Sequence, residues 1–192
     1  MSGQAHSPSG TETALLLLGS NIEPAANLVR ALETLAASVV VVGASRVFET
    51  DPVAERRMPR FLNAALEITS HLEPGELKYG VLRTVESRLG RERSGDRNAP
   101  RTIDLDLALF GDRIISNREA ALELPDPDIL RHAHVILPLA DLSPYRRHPE
   151  TGRTLAEIAS GFGADCGVRL APACDELIRT LRLLEPMPRG TR

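Results

Sequence analysis

The sequence predicts an α+β fold whose elements follow the order β-α-β-β-α-β. Short apolar or β-branched runs of strand length alternate with two longer segments whose apolar residues recur at helical spacing. Turn-forming residues separate these segments. Neither an internal repeat nor a linker divides residues 13–148, so we expect these elements to form one domain. The order is that of the ferredoxin-like sandwich, in which helices pack on a sheet.

The first three elements lie in residues 13–50. The apolar run at 13–21 ends in Gly-Ser-Asn and predicts a buried strand that enters a turn. Residues 24–37 predict a helix, because Pro24 suits a first turn and the apolar residues that follow have helical spacing. Residues 38–50 are rich in β-branched side chains and predict a second strand.

The next three elements complete the pattern. Residues 61–70 alternate as a strand does, and residues 73–90 predict an amphipathic helix that ends at Gly90. The apolar stripe of this helix consists of Leu77, Val81, Val85 and Leu89. The last strand lies within residues 101–111, and residues 112–117 are predicted to pair back on it as a hairpin.

The remaining chain is assigned to two terminal segments. Residues 1–12 are polar and are expected to form a disordered tail. Residues 149–192 are predicted to form an additional C-terminal helical segment, with a short helix at TLAEIASGF and an amphipathic helix at 173–185. We expect that last helix to pack on its own domain rather than to form a dimer contact, and the protein to be a monomer or a weak homodimer.

Composition limits the possible functions. The chain is 42% apolar and 26% charged and has no apolar run of membrane-spanning length, which is typical of a globular protein. A net charge of −3 and an aromatic content of 3% disfavour nucleic-acid binding. The N-terminus lacks a secretory signal pattern, and the two cysteines match no zinc or disulfide pattern, so a cytoplasmic location is expected.

Two carboxylates stand out in the last predicted strand. Alternation within RTIDLDLALFG places Ile103, Leu105, Leu107 and Leu109 on one face of the strand. Asp104 and Asp106 then share the other face, roughly 6.6 Å apart along the strand, where two anions repel each other. Three interpretations remain at this point: a solvated polar face, protection of a sheet edge, or a site for a hard divalent cation.

An arginine-rich loop precedes these carboxylates. It carries Arg91, Arg93, Arg97 and Arg101. Such a cluster is either a surface salt-bridge patch or a clamp for phosphate groups that a metal also binds. The chain has no Walker-type phosphate loop, because GSNIEPA does not match that motif.

Six segments in order resemble the 6-hydroxymethyl-7,8-dihydropterin pyrophosphokinase family of folate biosynthesis. The resemblance covers roughly residues 14–145. The segments are LLGSN (17–21), FETDPV (48–53), FLNAAL (61–66), VESRLGRER (85–93), APRTIDLDLALFG (99–111) and VILPLADLSP (135–144). The resemblance implies the same sandwich fold, and it implies that two Mg²⁺ ions and ATP bind. It also implies transfer of the β,γ-diphosphoryl group of ATP to a pterin hydroxymethyl oxygen, with release of AMP.

The resemblance also implies roles for individual residues at the nucleotide. Asp104 and Asp106 match the Mg²⁺ ligands of the family, and Arg91 and Arg101 match its phosphate-binding arginines. These four residues are the expected catalytic residues. Arg93 lies on the same loop and is expected to bind the nucleotide as well.

The matching positions for the pterin lie earlier in the chain. Phe61 matches the aromatic side chain that stacks on the pterin ring, and Asn63 matches the residue that hydrogen-bonds it. Thr50 and Val53 match positions whose backbone groups contact the pterin edge. Glu86 matches a helix glutamate beside the nucleotide site.

The sequence departs from the family pattern where the nucleotide and pterin sites are expected to meet. Asp126 stands where the family usually has a histidine, and His132 stands where it usually has an arginine. Both are expected near the nucleotide. His134 replaces a phenylalanine expected against the pterin, and Asn98 and Ala54 replace a tryptophan and a glycine.

These departures leave two alternatives to the family reaction. The chain could catalyse the same transfer to a different pterin or to a related hydroxymethyl heterocycle, or it could be a non-catalytic binding protein on the same fold. The spacing of His132 and His134 would also suit a metal pair on a strand, but two imidazoles without further ligands make this the weaker interpretation.

Overall fold

The computed structural model describes residues 10–51, 60–92 and 100–171. Its strands are β1 (Glu12–Ser20), β2 (Val40–Ala44), β3 (Phe48–Thr50), β4 (Phe61–Ser70), β5 (Asp104–Phe110), β6 (Ile115–Asn117), β7 (Leu122–Leu124) and β8 (Val168–Leu170). Its α-helices are α1 (Pro24–Ala36), α2 (Arg83–Arg88), α3 (Ala133–Leu142) and α4 (Leu155–Ala159). A π-helical segment, Glu76–Leu82, leads into α2, and a short 3₁₀ segment, Pro127–Leu130, precedes α3. The predicted α+β class is confirmed.

Antiparallel pairing builds the main sheet around β1. The strand order is β5-β1-β4-β3-β8, and β2 also pairs with β4. Strand β1 lies centrally because its apolar run, from Ala14 to Leu18, is buried on both faces of the sheet. The run predicted as one strand at 38–50 is divided into β2 and β3, and both pair with β4.

Helices cover both faces of the sheet. On one face, Leu28 and Leu32 of α1 pack in the same apolar cluster as Leu16, Leu66 and other alternate strand residues. On the other face, α3 forms a second cluster with Leu15, Leu17 and Ala65. The second helical layer was not predicted, because residues 135–144 show an apolar stretch without a clear helical period.

A β-bulge in β5 corrects the predicted alternation. Leu15 pairs with Leu109 and Leu16 pairs with Leu107, so Ala108 is an extra residue on β5. Beyond this bulge, Leu109 belongs to the α3 cluster, whereas Leu105 and Leu107 belong to the α1 cluster. The prediction that Leu109 shares a face with Leu105 and Leu107 is therefore wrong. Asp104 and Asp106 precede the bulge and keep the predicted common face.

The predicted hairpin after Gly111 is also wrong. Strand β6 pairs with β7 in a separate two-stranded sheet and does not return to β5. Leu122 and Leu124 of β7 are buried in the α1 cluster, and this burial favours the β6–β7 pairing over a tight hairpin at Gly111.

The second predicted helix has an unexpected pitch. It is helical over Glu76–Leu82 and Arg83–Arg88, but the first part is π-helical, with hydrogen bonds from residue i+5 to residue i. Leu77 and Leu82 are consequently the fully buried pair, and Val81 of the predicted stripe is only partly buried. Gly90 adopts a φ of 73°, which favours glycine and agrees with the predicted end of the helix.

Several predictions lie outside the described residues. These are residues 1–9 of the tail predicted at 1–12, the roles of Val53 and Arg93, the positions of Ala54, Arg97 and Asn98, and the helix at 173–185. The predicted short helix near TLAEIASGF is confirmed as α4. None of the helices in the described part of the chain has the length and apolar character that crossing a bilayer requires.

Candidate active site

A polar cavity of about 330 Å³ lies beside the first residues of β5. Four cations and two carboxylates are among its lining residues, which are Lys78, Arg83, Arg91, Arg101, Asp104, Leu105, Asp106 and Ala121. The predicted metal ligands and the two predicted phosphate-binding arginines within the described residues therefore line one cavity.

The sheet holds Asp104 and Asp106 rigidly. Asp104 pairs with Gly19 and Asp106 pairs with Leu17 of the central strand β1. Leu17 belongs to the apolar cluster under α3, so both carboxylates project from the face of the sheet that α3 covers farther along. The carboxylates lie on that face beyond the apolar cluster.

The Gly-Ser-Asn turn after β1 fixes the segment that leads into β5. The backbone N–H of Arg101 donates to the Asn21 side-chain oxygen (2.7 Å), and the N–H of Asn21 donates to the Arg101 carbonyl (3.2 Å). The Ser20 hydroxyl donates to the Thr102 carbonyl (2.6 Å). These bonds join the LLGSN and RTIDLD segments and position Arg101 at the mouth of the cavity.

Asp104 is the centre of an ion-pair network. The guanidinium groups of Arg91 and Arg101 both donate to its carboxylate. Arg91 also donates to Glu86, which is only 2% exposed. Burial disfavours the charged form of Arg91, but Asp104 and then Glu86 outweigh this effect and raise the pKa of Arg91 above its ordinary value.

Glu86 lies behind the cavity wall rather than in it. Its carboxylate accepts a hydrogen bond from the backbone N–H of Leu105 (2.9 Å) between the two aspartates. The side chain therefore ties helix α2 to β5 and orients Arg91. The place beside the nucleotide that the resemblance implies for Glu86 stays a prediction.

Asp106 has a different environment from Asp104. Its residue surface is exposed at the cavity, although the surrounding protein atoms remove much of the water around its carboxylate, and it accepts no hydrogen bond from the described residues. Burial raises its pKa to about 7, and the carboxylates of Asp104, Asp126 and Glu86 add to the shift. An anion destabilised in this way fits a divalent cation, which would supply the missing counter-charge.

Asp104 and Asp106 are a pair of possible metal ligands and do not form a complete protein site. The described residues contain no group of three or more His, Cys, Asp or Glu side chains placed to hold a metal ion. Two carboxylates on a strand suit Mg²⁺ that completes its coordination with water and with substrate phosphates.

The predicted pterin residues lie on the same sheet face as the aspartates. Asn63 is buried and donates from its amide nitrogen to the Thr50 hydroxyl (2.7 Å). Asn63 pairs with Gly19 across the β1–β4 ladder, and Gly19 pairs with Asp104 on its other side. A Cβ placed on Gly19 would lie 3.2 Å from the Asn63 side-chain oxygen and 4.0 Å from both Phe61 Cδ1 and Asp104 Cβ. Gly19 thus keeps the space between the two groups open.

Three of the five substituted positions, Asp126, His132 and His134, lie within the described residues and do not line the cavity. Asp126 accepts a hydrogen bond from the N–H of Asp128 (2.9 Å), and burial raises its pKa. Its charge acts on Asp106, so it lies near the carboxylate pair without lining the cavity.

The two histidines lie at the start of α3. His132 precedes the helix, and His134 lies in the first turn, with ring centroids 5.3 Å apart in a stacked arrangement. Burial and then the neighbouring His132 lower the pKa of His134. Neither ring lines the cavity, and both lie outside any strand, which removes the geometric basis of a strand metal pair.

Lys78 and Arg83 line the cavity although the sequence analysis did not identify them. They are five residues apart, and in an α-helix such residues point about 140° away from each other. Only the π-helical pitch brings them to one side. The one available sequence signal was that Lys78 is the only lysine in the chain.

Comparisons with known proteins show which family the chain resembles. Residues 15–144 match the family model "7,8-dihydro-6-hydroxymethylpterin-pyrophosphokinase (HPPK)". The 2-amino-4-hydroxy-6-hydroxymethyldihydropteridine pyrophosphokinase of Bacillus subtilis is 37% identical over 132 residues, covering 67% of this chain and 77% of that protein. The protein of the same name from Pseudomonas aeruginosa is 35% identical over 144 residues, covering 73% of this chain and 86% of that protein.

Longer relatives match over a small part of their length. The match with the folic acid synthesis protein fol1 of Pneumocystis carinii is 32% identical and spans 76% of this chain but 19% of that protein. The folate synthesis bifunctional protein of Arabidopsis thaliana is 37% identical, and the match spans 27% of it.

The fold is also found among solved structures. Plasmodium falciparum HPPK-DHPS, crystallised with pterin and p-hydroxybenzoate, has a TM-score of 0.62 and 13% sequence identity, covering 80% of this chain and 44% of that one. At this identity the likeness shows the fold alone. The family match and the identities to the bacterial enzymes show that the chain belongs to the 7,8-dihydro-6-hydroxymethylpterin-pyrophosphokinase family, a family of ATP-dependent diphosphotransferases.

Proposed function

We propose that the protein transfers diphosphate from ATP to the hydroxymethyl group of 6-hydroxymethyl-7,8-dihydropterin in folate biosynthesis, in a Mg²⁺-dependent reaction that releases AMP. One observation carries the proposal: Asn63, Gly19 and Asp104 are adjacent across three paired strands. This arrangement puts a hydrogen-bonding group for a heterocycle next to a cavity of arginines and aspartates. Two reactants bound there would lie on one rigid surface.

The cavity supplies the nucleotide half of the site. Asp104 and Asp106 would hold two Mg²⁺ ions together with the phosphates of ATP, and Arg91 and Arg101 would bind the phosphate oxygens. Bound Mg²⁺ would neutralise charge on the phosphates and make the β-phosphorus more electrophilic. In the absence of ligand the two arginines instead neutralise Asp104.

The neighbouring strands supply the pterin half. Asn63 retains its side-chain oxygen as an acceptor for ring N–H groups while its amide nitrogen is held by Thr50. Phe61 is partly exposed on the same face, where its ring can stack on a flat heterocycle.

The reaction needs positioning and charge neutralisation more than covalent catalysis. The hydroxymethyl oxygen attacks the β-phosphorus, the bond from that phosphorus to the oxygen bridging it to the α-phosphorus breaks, and AMP leaves with that oxygen. The hydroxyl proton passes to solvent. Alignment of the reactants and neutralisation of the phosphate charge can provide most of the rate enhancement.

AMP release tests this proposal. Purified protein is incubated with ATP and Mg²⁺, with and without 6-hydroxymethyl-7,8-dihydropterin. We expect AMP to form only when both Mg²⁺ and the pterin are present. AMP formation with a related hydroxymethyl heterocycle but not with this pterin would support the different-acceptor alternative. Binding of Mg-ATP without AMP formation with any acceptor would support a non-catalytic protein.

The proposal extends to the fold and its setting. The sheet order β5-β1-β4-β3, with α1 and α2 on one face, supports a ferredoxin-like core in which β2 and β3 share the place of one strand. We propose that the protein acts in the cytoplasm as a monomer or weak homodimer, with the pterin and ATP as its partners and no nucleic acid.

A further inference from the structure

We propose that Lys78 and Arg83 bind the phosphate chain of the nucleotide from the helical wall of the cavity. The inference rests on the proposed function and extends it, because it adds two binding residues to the four that the sequence analysis placed in this cavity. Both side chains line the same cavity as Asp104 and Asp106.

The charges of the other two cations in the cavity are already compensated. Arg91 pairs with Glu86 and Asp104, and Arg101 pairs with Asp104. These pairs are partly buried, so the arginines would have to exchange a carboxylate for a phosphate when the nucleotide binds.

Lys78 and Arg83 have no such carboxylate. Among the described residues, neither has an acidic side chain within ion-pair distance. Within the described part of the chain, the Lys78 ammonium donates one hydrogen bond, to the Ala121 carbonyl (3.1 Å), and lies 5.8 Å from the Tyr79 ring centroid, which leaves two N–H donors for a ligand. The Arg83 guanidinium lies 4.5 Å above the Tyr79 ring. Stacking uses its flat face and leaves the N–H groups at its edge available for phosphate oxygens.

The π-helical segment places the two cations together. The backbone N–H of Arg83 donates to the Lys78 carbonyl, which is an i+5 to i hydrogen bond. This bond stacks the two residues one turn apart, whereas an α-helix would point one of them away from the cavity. A π-helical turn is a rare and costly conformation that is often found at functional sites.

The charged residues around the cavity favour additional cations beside the proposed nucleotide site. Asp126 and His132 stand where the family usually has a histidine and an arginine, so the chain has a carboxyl group and lacks a guanidinium where the resemblance implies the nucleotide. The Lys78 side chain lines the same cavity as Asp106, and its charge acts on both Asp106 and Asp126. Lys78 is therefore within electrostatic reach of the carboxylates around which the phosphates would bind.

Equilibrium binding of α,β-methylene ATP with Mg²⁺ tests the inference, because this analogue cannot be cleaved at the bond that the reaction breaks. Isothermal titration calorimetry compares the wild type with Lys78→Gln and Arg83→Gln, and AMP serves as a second ligand. We expect each variant to bind the analogue about tenfold more weakly, the effect of losing one charged hydrogen bond. The affinity for AMP, which has one phosphate instead of three, should fall less in these variants.

Matched variants separate phosphate binding from a structural role. Arg88→Gln removes an exposed cation from the same helix outside the cavity and should bind the analogue like the wild type. Lys78→Arg and Arg83→Lys keep the charge and should recover most of the affinity.

Three results would overturn the inference: less than a twofold loss in both Gln variants, equal losses for the analogue and AMP, or no binding of the analogue by the wild type. The binding measurement needs no acceptor, so it is independent of pterin turnover. Normal turnover with unaffected binding in the variants would reject only the inference, and weakened binding without turnover in the wild type would reject only the proposed reaction.

Discussion

Asp104 shows how one side chain can serve both the fold and the chemistry. In the sequence, a solvated polar face was one of three interpretations of the pair Asp104 and Asp106. In the structure, Asp104 is the shared acceptor of Arg91 and Arg101. The same carboxylate that we propose as a metal ligand therefore also compensates two partly buried cations.

Replacing Asp104 by Asn tests both roles. We expect loss of Mg²⁺-dependent AMP release, because a neutral amide is a poor ligand for Mg²⁺. We also expect the free energy of unfolding to fall by about 1–3 kcal/mol, because Arg91 and Arg101 lose a charged acceptor. Urea denaturation and the AMP assay measure the two effects. Full activity in Asp104→Asn would contradict the metal assignment.

The Asp106 carboxylate, in contrast to that of Asp104, should destabilise the folded protein at pH values above its pKa. Its pKa is raised from 3.8 to about 7 by burial and by neighbouring carboxylates, so the folded protein binds its proton more tightly than the unfolded chain does. Its contribution to stability is thus complete below about pH 4 and is lost as the pH rises through 7. We expect Asp106→Asn to raise the melting temperature of the ligand-free protein at pH 8 and to change it little at pH 4.5.

The control for this prediction is the ligand itself. Mg²⁺ with α,β-methylene ATP should stabilise the wild type at pH 8 and should stabilise Asp106→Asn much less, because the variant lacks one metal ligand. A variant that melts below the wild type at pH 8 without ligand would show that the Asp106 charge is favourable in the folded state.

At the scale of elements, the ladder from β4 through β1 to β5 connects the two halves of the site. Gly19 is the residue between Asn63 and Asp104. Its backbone needs no glycine-specific φ, so the absence of a side chain serves the close approach of Asn63. The LLGSN segment is therefore a spacer between two binding surfaces as well as a strand end.

Gly19→Ala tests this element. The new methyl group would lie 3.2 Å from the Asn63 side-chain oxygen and would displace it by a few tenths of an ångström. We expect KM for the pterin to rise by about tenfold, because small displacements of positioning groups are costly in catalysis. Binding of α,β-methylene ATP should stay within twofold of the wild type. Weaker binding of α,β-methylene ATP with an unchanged KM for the pterin would contradict this prediction, because it would show that Gly19 affects the nucleotide half of the site.

The sequence predicted most elements because their apolar periodicity is strong. It predicted the Asp104–Asp106 face correctly, since the register of β5 is regular up to Leu107. It misplaced Leu109 because a single bulge reverses the alternation, and tertiary pairing rather than local propensity sets a bulge. The sequence analysis missed Lys78 and Arg83 because only the π-helical pitch brings them to one side. That pitch depends on the burial of Leu77 and Leu82 in the core, which is a tertiary contact.

At the scale of the whole molecule, helices cover both faces of the sheet, and the end of one face carries the proposed substrate site. Helices α1 and α2 close one side, and α3 closes part of the other. The cavity and the Thr50–Asn63 pair lie on the part of that second face beyond the α3 cluster. The paired strands of the sheet therefore carry both halves of the proposed site.

Ligand-induced stabilisation tests whether the metal site is complete only when the nucleotide is also bound. Two carboxylates make an incomplete site, so Mg²⁺ alone at 1 mM should shift the melting temperature very little at pH 7. Mg²⁺ with α,β-methylene ATP at a hundred times its Kd should stabilise the fold by about 2.7 kcal/mol. Thermal unfolding monitored by circular dichroism gives both values. A large shift with Mg²⁺ alone would indicate a complete metal site formed by the protein itself.

The most direct measurement is ³¹P NMR of a reaction that contains the protein, Mg²⁺, ATP and 6-hydroxymethyl-7,8-dihydropterin. Our account predicts that the ATP resonances are replaced by those of AMP and of a diphosphate ester on the pterin, in equal amounts. Asp104→Asn should leave the ATP spectrum unchanged. Formation of ADP with a monophosphate ester, or unchanged ATP with the wild type, would contradict the proposed diphosphoryl transfer.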